Sequence, residues 1–229
     1  EALLLGLTSC PRYANGASTS WTRPEHINFN SIKFPHAPSR PIWRTEELPI
    51  GPWLEYAYPT FKSELEGILA DPRDLYTLFQ KLDPSPEHLA TPGGWETVRI
   101  VRYGNWFQEF CLTAPKTCKL LKSRPELTNC QFMNVNYAKL NPGAELKPHY
   151  GNGPRLSAHL PVLAPEPQAA GMNIGGQDVT WTEGKAILFD DTYPHYVRHW
   201  GQQPRYVLLL WFCHPCDVAN DHGQVCPTK

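Results

Sequence analysis

Two histidines 46 positions apart, His149 and His195, each stand at the edge of an alternating or apolar run. A β-structure that brings those edges together would let both hold one metal ion. Neutral imidazole suits iron, zinc, copper or nickel, so ligand type leaves the metal open. Arg205 opens Tyr206-Val207-Leu208-Leu209-Leu210-Trp211-Phe212, the most apolar run of the chain. An arginine at the mouth of a buried strand needs an anion, and a carboxylate matches its planar fork. Arg205 lies ten positions after His195, so a strand pair joined by the Gly201 turn can bring both to one pocket. Taken singly, each residue has a plainer reading: a histidine hydrogen-bonded at a strand end, an arginine paired with a carboxylate of the chain. Taken together, two ligands and a deep cation point to a metal site with an acidic cosubstrate.

The elements that must position these groups read as mainly β. Thr97 to Tyr103 suits a strand, and further strands are expected over 132–140, 155–163, 178–182, 185–190, 195–200 and 205–213. Their separators, Asn141-Pro142-Gly143, Gly175-Gly176 and Gly201, are turn signals. Many short strands divided by turns favour a barrel or double-sheet jelly roll over a parallel sheet. Ahead of them, residues 60–82 read as helical with a break at Asp71-Pro72 and an end at Pro84 and Pro86, and Pro115 to Lys122 as a short helix. Residues 1–60, rich in proline and in rings such as Trp21, Phe34 and Trp43, read as an extended arm packed on a domain of residues 61–229.

The 229 residues and 26.0 kDa correspond to one domain, or one with a long extension. With 41% hydrophobic and 19% charged residues the chain can bury a core. A net charge of −1 gives no global attraction to nucleic acid or to an anionic membrane surface. No run approaches the roughly 18–20 apolar residues of a membrane span, and Glu1 to Leu7 is too short and lacks the basic start of a signal peptide. The 24 prolines favour extended and turn-rich connections. The seven cysteines, at 10, 111, 118, 130, 213, 216 and 226, favour an oxidising, secretory compartment; buried reduced thiols in a cytoplasmic protein are the alternative. Cys213-x-x-Cys216 is half of a redox or metal motif, and Cys216 with Cys226 is an equally good pair.

The segment from Trp95 to Pro215 resembles the aspartyl/asparaginyl β-hydroxylase family of Fe(II)- and 2-oxoglutarate-dependent oxygenases. The landmarks, in order, are Cys111, Ala114-Pro115-Lys116-Thr117-Cys118, Pro125-Glu126, Cys130, Asn141-Pro142-Gly143, His149-x-Gly151, Arg155, His159-Leu160, Trp181-x-Glu183-Gly184-Lys185, Phe189-Asp190-Asp191, His195, Arg205 and Trp211-x-x-His214-Pro215. The resemblance implies a double-stranded β-helix (jelly roll, cupin-like) with flanking helices and a core over about 95–215. It implies His149 and His195 as the only protein ligands to Fe(II), with Gly151 and water where most such oxygenases place a carboxylate. Asp190 and Asp191 would order that water, or bond backbone of their own loop. Arg205 would hold the distal carboxylate of 2-oxoglutarate and His159 its other end, with Trp95 lining the pocket or packing in the core. Cys111 and Cys118 would form a disulfide.

Two departures stand out: a family arginine is Ser157 here and a family serine is Ala138. Ser157 puts an aspartate-like substrate in doubt and leaves Arg155 as an anion contact. Long family members carry 34-residue helical repeats, and none occurs in this sequence, which thus resembles the catalytic domain alone. The implied function is hydroxylation, with O2, of an unactivated carbon in an Asp/Asn-like side chain of a peptide or protein. A small-molecule or lipid hydroxylase and a non-catalytic binding module are the alternatives. A zinc hydrolase lacks a general base near a third ligand. Oligomeric state leaves no signal.

Overall fold

The computed structural model describes residues 28–82, 89–219 and 221–227. Residues 1–27 of the expected arm, with Cys10 and Trp21, and the helix stop at Pro84 and Pro86 lie outside the described residues. In chain order the elements begin with α1 (Phe29–Lys33), β1 (Ile42–Trp43), a 3-10 turn (Thr45–Glu47), α2 (Ile50–Ala70) and α3 (Leu75–Leu82). Next come β2 (Trp95–Arg102), β3 (Asn105–Trp106), α4 (Gln108–Thr113), α5 (Pro115–Lys122) and α6 (Pro125–Thr128). The remainder is β: β4 (Asn134–Leu140), β5 (Glu145–His149), β6 (Arg155–Leu163), β7 (Ala170–Ile174), β8 (Gln177–Thr180), β9 (Ile187–Phe189), β10 (His195–His199) and β11 (Arg205–Cys213).

The strands form two antiparallel sheets, one ordered β1-β9-β6-β11-β4-β2-β3 and one ordered β5-β10-β7-β8. From β4 to β11 the chain crosses between the sheets at every step except the β7–β8 hairpin, the topology of a jelly roll. Period-two alternation gives the large sheet two different faces. Leu156, Ala158, Leu160 and Val162 of β6, with Leu208, Leu210 and Phe212 of β11, enter one core with the helices. The alternate residues face the smaller sheet, where Val207 and Leu140 meet Leu146, Met172 and Val197 in a second core.

Helix α2 seals the outer face. Ile50, Leu54, Ala57, Phe61, Leu65 and Ile68 recur at helical spacing and are all buried. The side chain of Glu64 accepts the backbone N–H groups of Lys116 and Thr117 at 3.0 and 2.6 Å, capping α5, and the Tyr137 hydroxyl donates to the Phe61 carbonyl at 3.0 Å. This helix corrects the sequence reading: it begins at Ile50, not residue 60, and runs through Pro59. Pro59 lies on the exposed side, where the carbonyl it leaves unbonded is open to water. Strands β5 and β7 were also not anticipated, because Pro148 and Gly171 interrupt their alternation.

Part of the presumed arm is sheet: β1 pairs with β9, so residues 42–43 extend the large sheet. Phe34 stacks on His214 at 4.4 Å and Trp43 meets the same ring edge-on at 5.7 Å, joining the N-terminal segment to the end of β11. Disulfides join Cys111 to Cys118, Cys130 to Cys213 and Cys216 to Cys226. Cys213 and Cys216 thus have separate partners, which removes the redox or metal half-site.

His214 supplies a pH test of this closure. Its ring is 1% exposed and Nδ1 accepts the Cys216 N–H at 3.2 Å. Burial, then the neighbouring His222, lowers its pKa from the ordinary 6.5 to about 4. A depressed histidine pKa means that the unfolded chain takes up the proton first, so its stability contribution is lost as pH falls from 6.5 towards 4. His214→Phe should therefore flatten the fall in melting temperature between pH 7 and 5; equal slopes for variant and parent would exclude this assignment.

Candidate active site

His149 closes β5 and His195 opens β10, and the two are direct partners in the antiparallel register. Their rings lie 4.2 Å apart between centroids. Each Nδ1 meets the carbonyl two residues earlier, Lys147 O at 2.7 Å and Tyr193 O at 2.8 Å. A carbonyl only accepts, so each Nδ1 carries the hydrogen and each Nε2 keeps its lone pair. Burial lowers the pKa of His149 and takes that of His195 well below the usual range, so both rings are neutral at neutral pH. Two neighbouring neutral imidazoles with free Nε2 lone pairs fit a divalent metal ion.

Next to the pair, Gly151 donates its N–H to Asp191 O at 2.7 Å. A Cβ at Gly151 would stand 2.6 Å from Asp191 Oδ2 and 2.8 Å from Arg155 Nη2. The place of a side chain two residues after the first histidine is thus filled by the Asp191 carboxylate. Arg155 grips Asp191 Oδ2 through Nε at 3.1 Å and Nη2 at 2.9 Å, and its guanidinium lies 3.6 Å above the Trp211 ring. Asp191 Oδ1 is buried with no partner among the described residues. Burial raises the pKa of Asp191 and Arg155 opposes it. The adjacent Asp190 turns away: its Oδ1 accepts Thr192 N, Thr192 Oγ1 and Asn30 Nδ2, and burial pushes its pKa up to about 6.

A cavity of about 420 Å³ between the sheets is lined by His149, His195, His159, Trp95, Arg155 and Asp191. Register builds its large-sheet wall in rows. Arg99, Asn136, Leu209 and His159 lie in line across β2, β4, β11 and β6, and Arg102, Asn134, Trp211 and Ser157 form the next row. Arg99 and Arg102 are three apart and would ordinarily face opposite ways. A register shift between Arg99 and Val101 sends Ile100 and Val101 into the helix-side core and returns Arg102 to the cavity. Neither arginine, nor Asn134 or Asn136, was anticipated, because nothing in the sequence marks a bulge. Leu146, Met172 and Val197 make the facing wall apolar.

Arg205 is placed differently from its expected position. Strands β10 and β11 belong to different sheets, so the Gly201 turn does not make a hairpin that sets Arg205 beside His195. Arg205 lines a small separate void with Trp181 and His199, its guanidinium 3.9 Å over the Trp181 ring. The opposite link is His159, whose ring is stacked with Trp181 at 6.2 Å. The Arg205 Nε is buried with no hydrogen-bond partner among the described residues, and burial lowers the pKa of the guanidinium to about 9. His159 Nδ1 is likewise buried without a partner, and burial followed by the charge of Arg205 lowers its pKa to about 3. A buried guanidinium without a counter-ion among the described residues suits an anion such as a carboxylate, but its void is separate from the cavity that holds the histidines.

Comparison with known proteins places these groups in one lineage. The family model described as aspartyl/asparaginyl beta-hydroxylase matches residues 55–215. The human aspartyl/asparaginyl beta-hydroxylase is 32% identical over 133 residues, 58% of this chain and 17% of that protein. The ornithine lipid ester-linked acyl 2-hydroxylase of Rhizobium tropici is 29% identical over 188 residues, 81% of this chain and 64% of that protein. The chain thus spans less than two thirds of the length of either relative. Among solved structures, a Pseudomonas putida prolyl-4-hydroxylase aligns with a TM-score of 0.42 and 14% identity, covering 68% of this chain and 86% of that one. The family match encloses both histidines, Gly151, Asp191 and Arg205, and the chain belongs to the aspartyl/asparaginyl β-hydroxylase family of hydroxylases.

Proposed function

We propose that the protein is an Fe(II)- and 2-oxoglutarate-dependent oxygenase that hydroxylates an unactivated carbon of an Asp/Asn-like side chain in a peptide or protein. The observation that carries this reading is the histidine pair, held with both Nε2 atoms free beside a carboxylate that replaces the side chain of residue 151. Bound Fe(II), with 2-oxoglutarate and O2, would supply the oxidising power, the cosubstrate leaving as succinate and CO2 with one oxygen atom of O2 in the succinate and the other in the product. The protein's own part is positioning and exclusion of water. His149 and His195 would hold the metal, and Asp191, fixed by Arg155, would accept a hydrogen bond from a water on it through Oδ1. Arg205 and His159 would hold the two ends of the cosubstrate, and Trp95 would close the cavity beside them. Arg155, engaged by Asp191, would meet the substrate only with what remains of its fork. Arg99 and Arg102 extend the basic wall towards an acidic or amide substrate. The three disulfides support a secretory setting. The apolar wall of Leu146, Met172 and Val197 favours a second reading, hydroxylation of an acyl chain. Succinate release stimulated by an acidic peptide or by an acyl lipid separates the two.

The His149→Ala/His195→Ala variant should lose stoichiometric manganese or iron binding. Retention of one equivalent of metal would refute the ligand assignment.

Arg205→Ala should leave metal binding nearly intact and weaken 2-oxoglutarate. Removing one side of a buried charge-assisted fork costs about 2–5 kcal/mol, roughly 30- to several-thousand-fold in affinity. Arg205→Lys should recover only part, since an ammonium cannot make two parallel bonds. Titration of 2-oxoglutarate into manganese-loaded, oxygen-free protein measures this, and equal affinity for parent and Arg205→Ala would exclude the cosubstrate role.

Gly151→Ala places a methyl group within 2.8 Å of both members of the Asp191–Arg155 pair. It should displace Asp191 and weaken manganese by about 10- to 100-fold, the usual effect of disturbing a ligand's supporting shell. Unchanged manganese affinity in a folded variant would show that Asp191 does not serve the metal.

A further inference from the structure

We infer that Asn30, 25 residues upstream of the family match, is a positioning residue of the metal site, docking the Asp190–Thr192 turn so that Asp191 stays against Gly151. The inference rests on the proposed metal role of His149 and His195. Asn30 lies in α1 and is buried. Its Nδ2 donates to Arg155 O and to Asp190 Oδ1, both at 2.9 Å. Two hydrogens meet two acceptors, and these touch both sides of the Arg155–Asp191 ion pair: the backbone of one partner and the residue before the other. The amide orientation is determined, because a flipped amide would set its oxygen against a carbonyl and a carboxylate. Asn30 Oδ1 has no partner among the described residues, so the position is kept for its two donors rather than for a fully satisfied amide.

The same segment holds the turn at two further points. Asn28 Nδ2 donates to Thr192 Oγ1, which in turn donates to Asp190 Oδ1. Pro41 O accepts the Asp190 N–H at 2.9 Å. On the other side Gly151 N meets Asp191 O and Arg155 grips the carboxylate. Residues 28–41 therefore form one jaw of a clamp whose other jaw is the His-x-Gly segment. Without the outer jaw, Asp191 keeps Arg155 but loses the support that sets its height beside the histidines.

The test is manganese binding by the full chain, followed by paramagnetic resonance and by relaxation of bound water. Asn30→Asp keeps size and shape but replaces both donors with acceptors. It should weaken manganese about 10- to 100-fold and alter bound-water relaxation. Asn30→Asp/Asp190→Asn restores one donor–acceptor pair with the partners exchanged and should recover part of the affinity. Asn28→Asp retains the side-chain oxygen that caps Ser31 N and loses only the donor to Thr192. It should cost about fivefold, the equivalent of one neutral hydrogen bond, and serves where Asn30→Asp does not fold. Parental affinity and water relaxation in folded Asn30→Asp, or in Asn28→Asp where the former is unfolded, would overturn the inference. So would an Asn30→Asp/Asp190→Asn protein no better than Asn30→Asp, which would leave Asn30 a general structural role. Failure of the parent itself to bind manganese would instead overturn the proposed function.

Discussion

The antiparallel register of β5 with β10 is the constraint on which the rest of the site depends. It sets His149 directly across from His195, at the point where both strands reach the open end of the smaller sheet. Side chains alternate with a period of two, so a slip of one residue would send one imidazole to the other face and leave no pair. A one-residue register shift between His195 and Val197 puts His149 in the cavity that Leu146 also lines, and the pairing beyond it is pinned outside the site. Val197 opposite Leu146 is in the second core, Arg198 pairs with Glu145 at 2.6 Å, and β7 holds the other edge of β10 along its full length. Apolar packing and one ion pair thus decide where two chemically useful nitrogens stand.

Charge burial is the second organising feature, and its pairings are uneven. Arg155 and Asp191 compensate one another in a dry position, where removing either would leave the other's charge exposed to a low dielectric. Arg205, equally buried, has the face of Trp181 and no counter-ion among the described residues. A cation–π contact offsets part of the desolvation of a guanidinium and satisfies none of its hydrogen bonds. The contrast between a closed pair and an open cation separates a structural charge from one held for a ligand. The same distinction separates Asp190, whose Oδ1 has three donors, from Asp191, whose Oδ1 has none among the described residues.

The sequence made the jelly roll and the histidine pair legible because both rest on local signals. Alternation marked β4, β6 and β11, and the resemblance in the Asp-Asp-x-x-x-His segment marked the loop before His195. What it concealed follows from effects that a linear pattern cannot carry. Pro59 stands just before the helix expected from residue 60, until the fold shows the helix running through it with its side facing solvent. Strict alternation would turn Arg102 away from Arg99, and a bulge changes the parity of β2. Asn28 and Asn30 read as polar residues of a featureless arm, since their partners lie more than a hundred residues away. Arg205 was correctly singled out as a deep cation, but the expected hairpin with His195 assumed sequential strands would pair, and in a jelly roll they cross between sheets.

Burial acts on the site's acids and bases in opposite directions, and the balance governs the metal-free protein in acid. His159 is depressed to about 3 from an ordinary 6.5, so the unfolded chain binds its proton first and folding loses stability as pH falls through that window. Asp190 is raised to about 6 from 3.8, so the folded chain binds its proton first and gains stability as pH falls from 6 to 3.8. The two windows overlap, and neutralising Asp190 there offsets part of what the histidine withholds. Protonation nevertheless changes what Asp190 can do: a neutral carboxyl accepts the Asn30, Thr192 N and Thr192 Oγ1 hydrogens more weakly than a carboxylate. The fold can therefore persist in mild acid while the turn that carries Asp191 loosens, because overall stability sums over both groups and the turn depends on one.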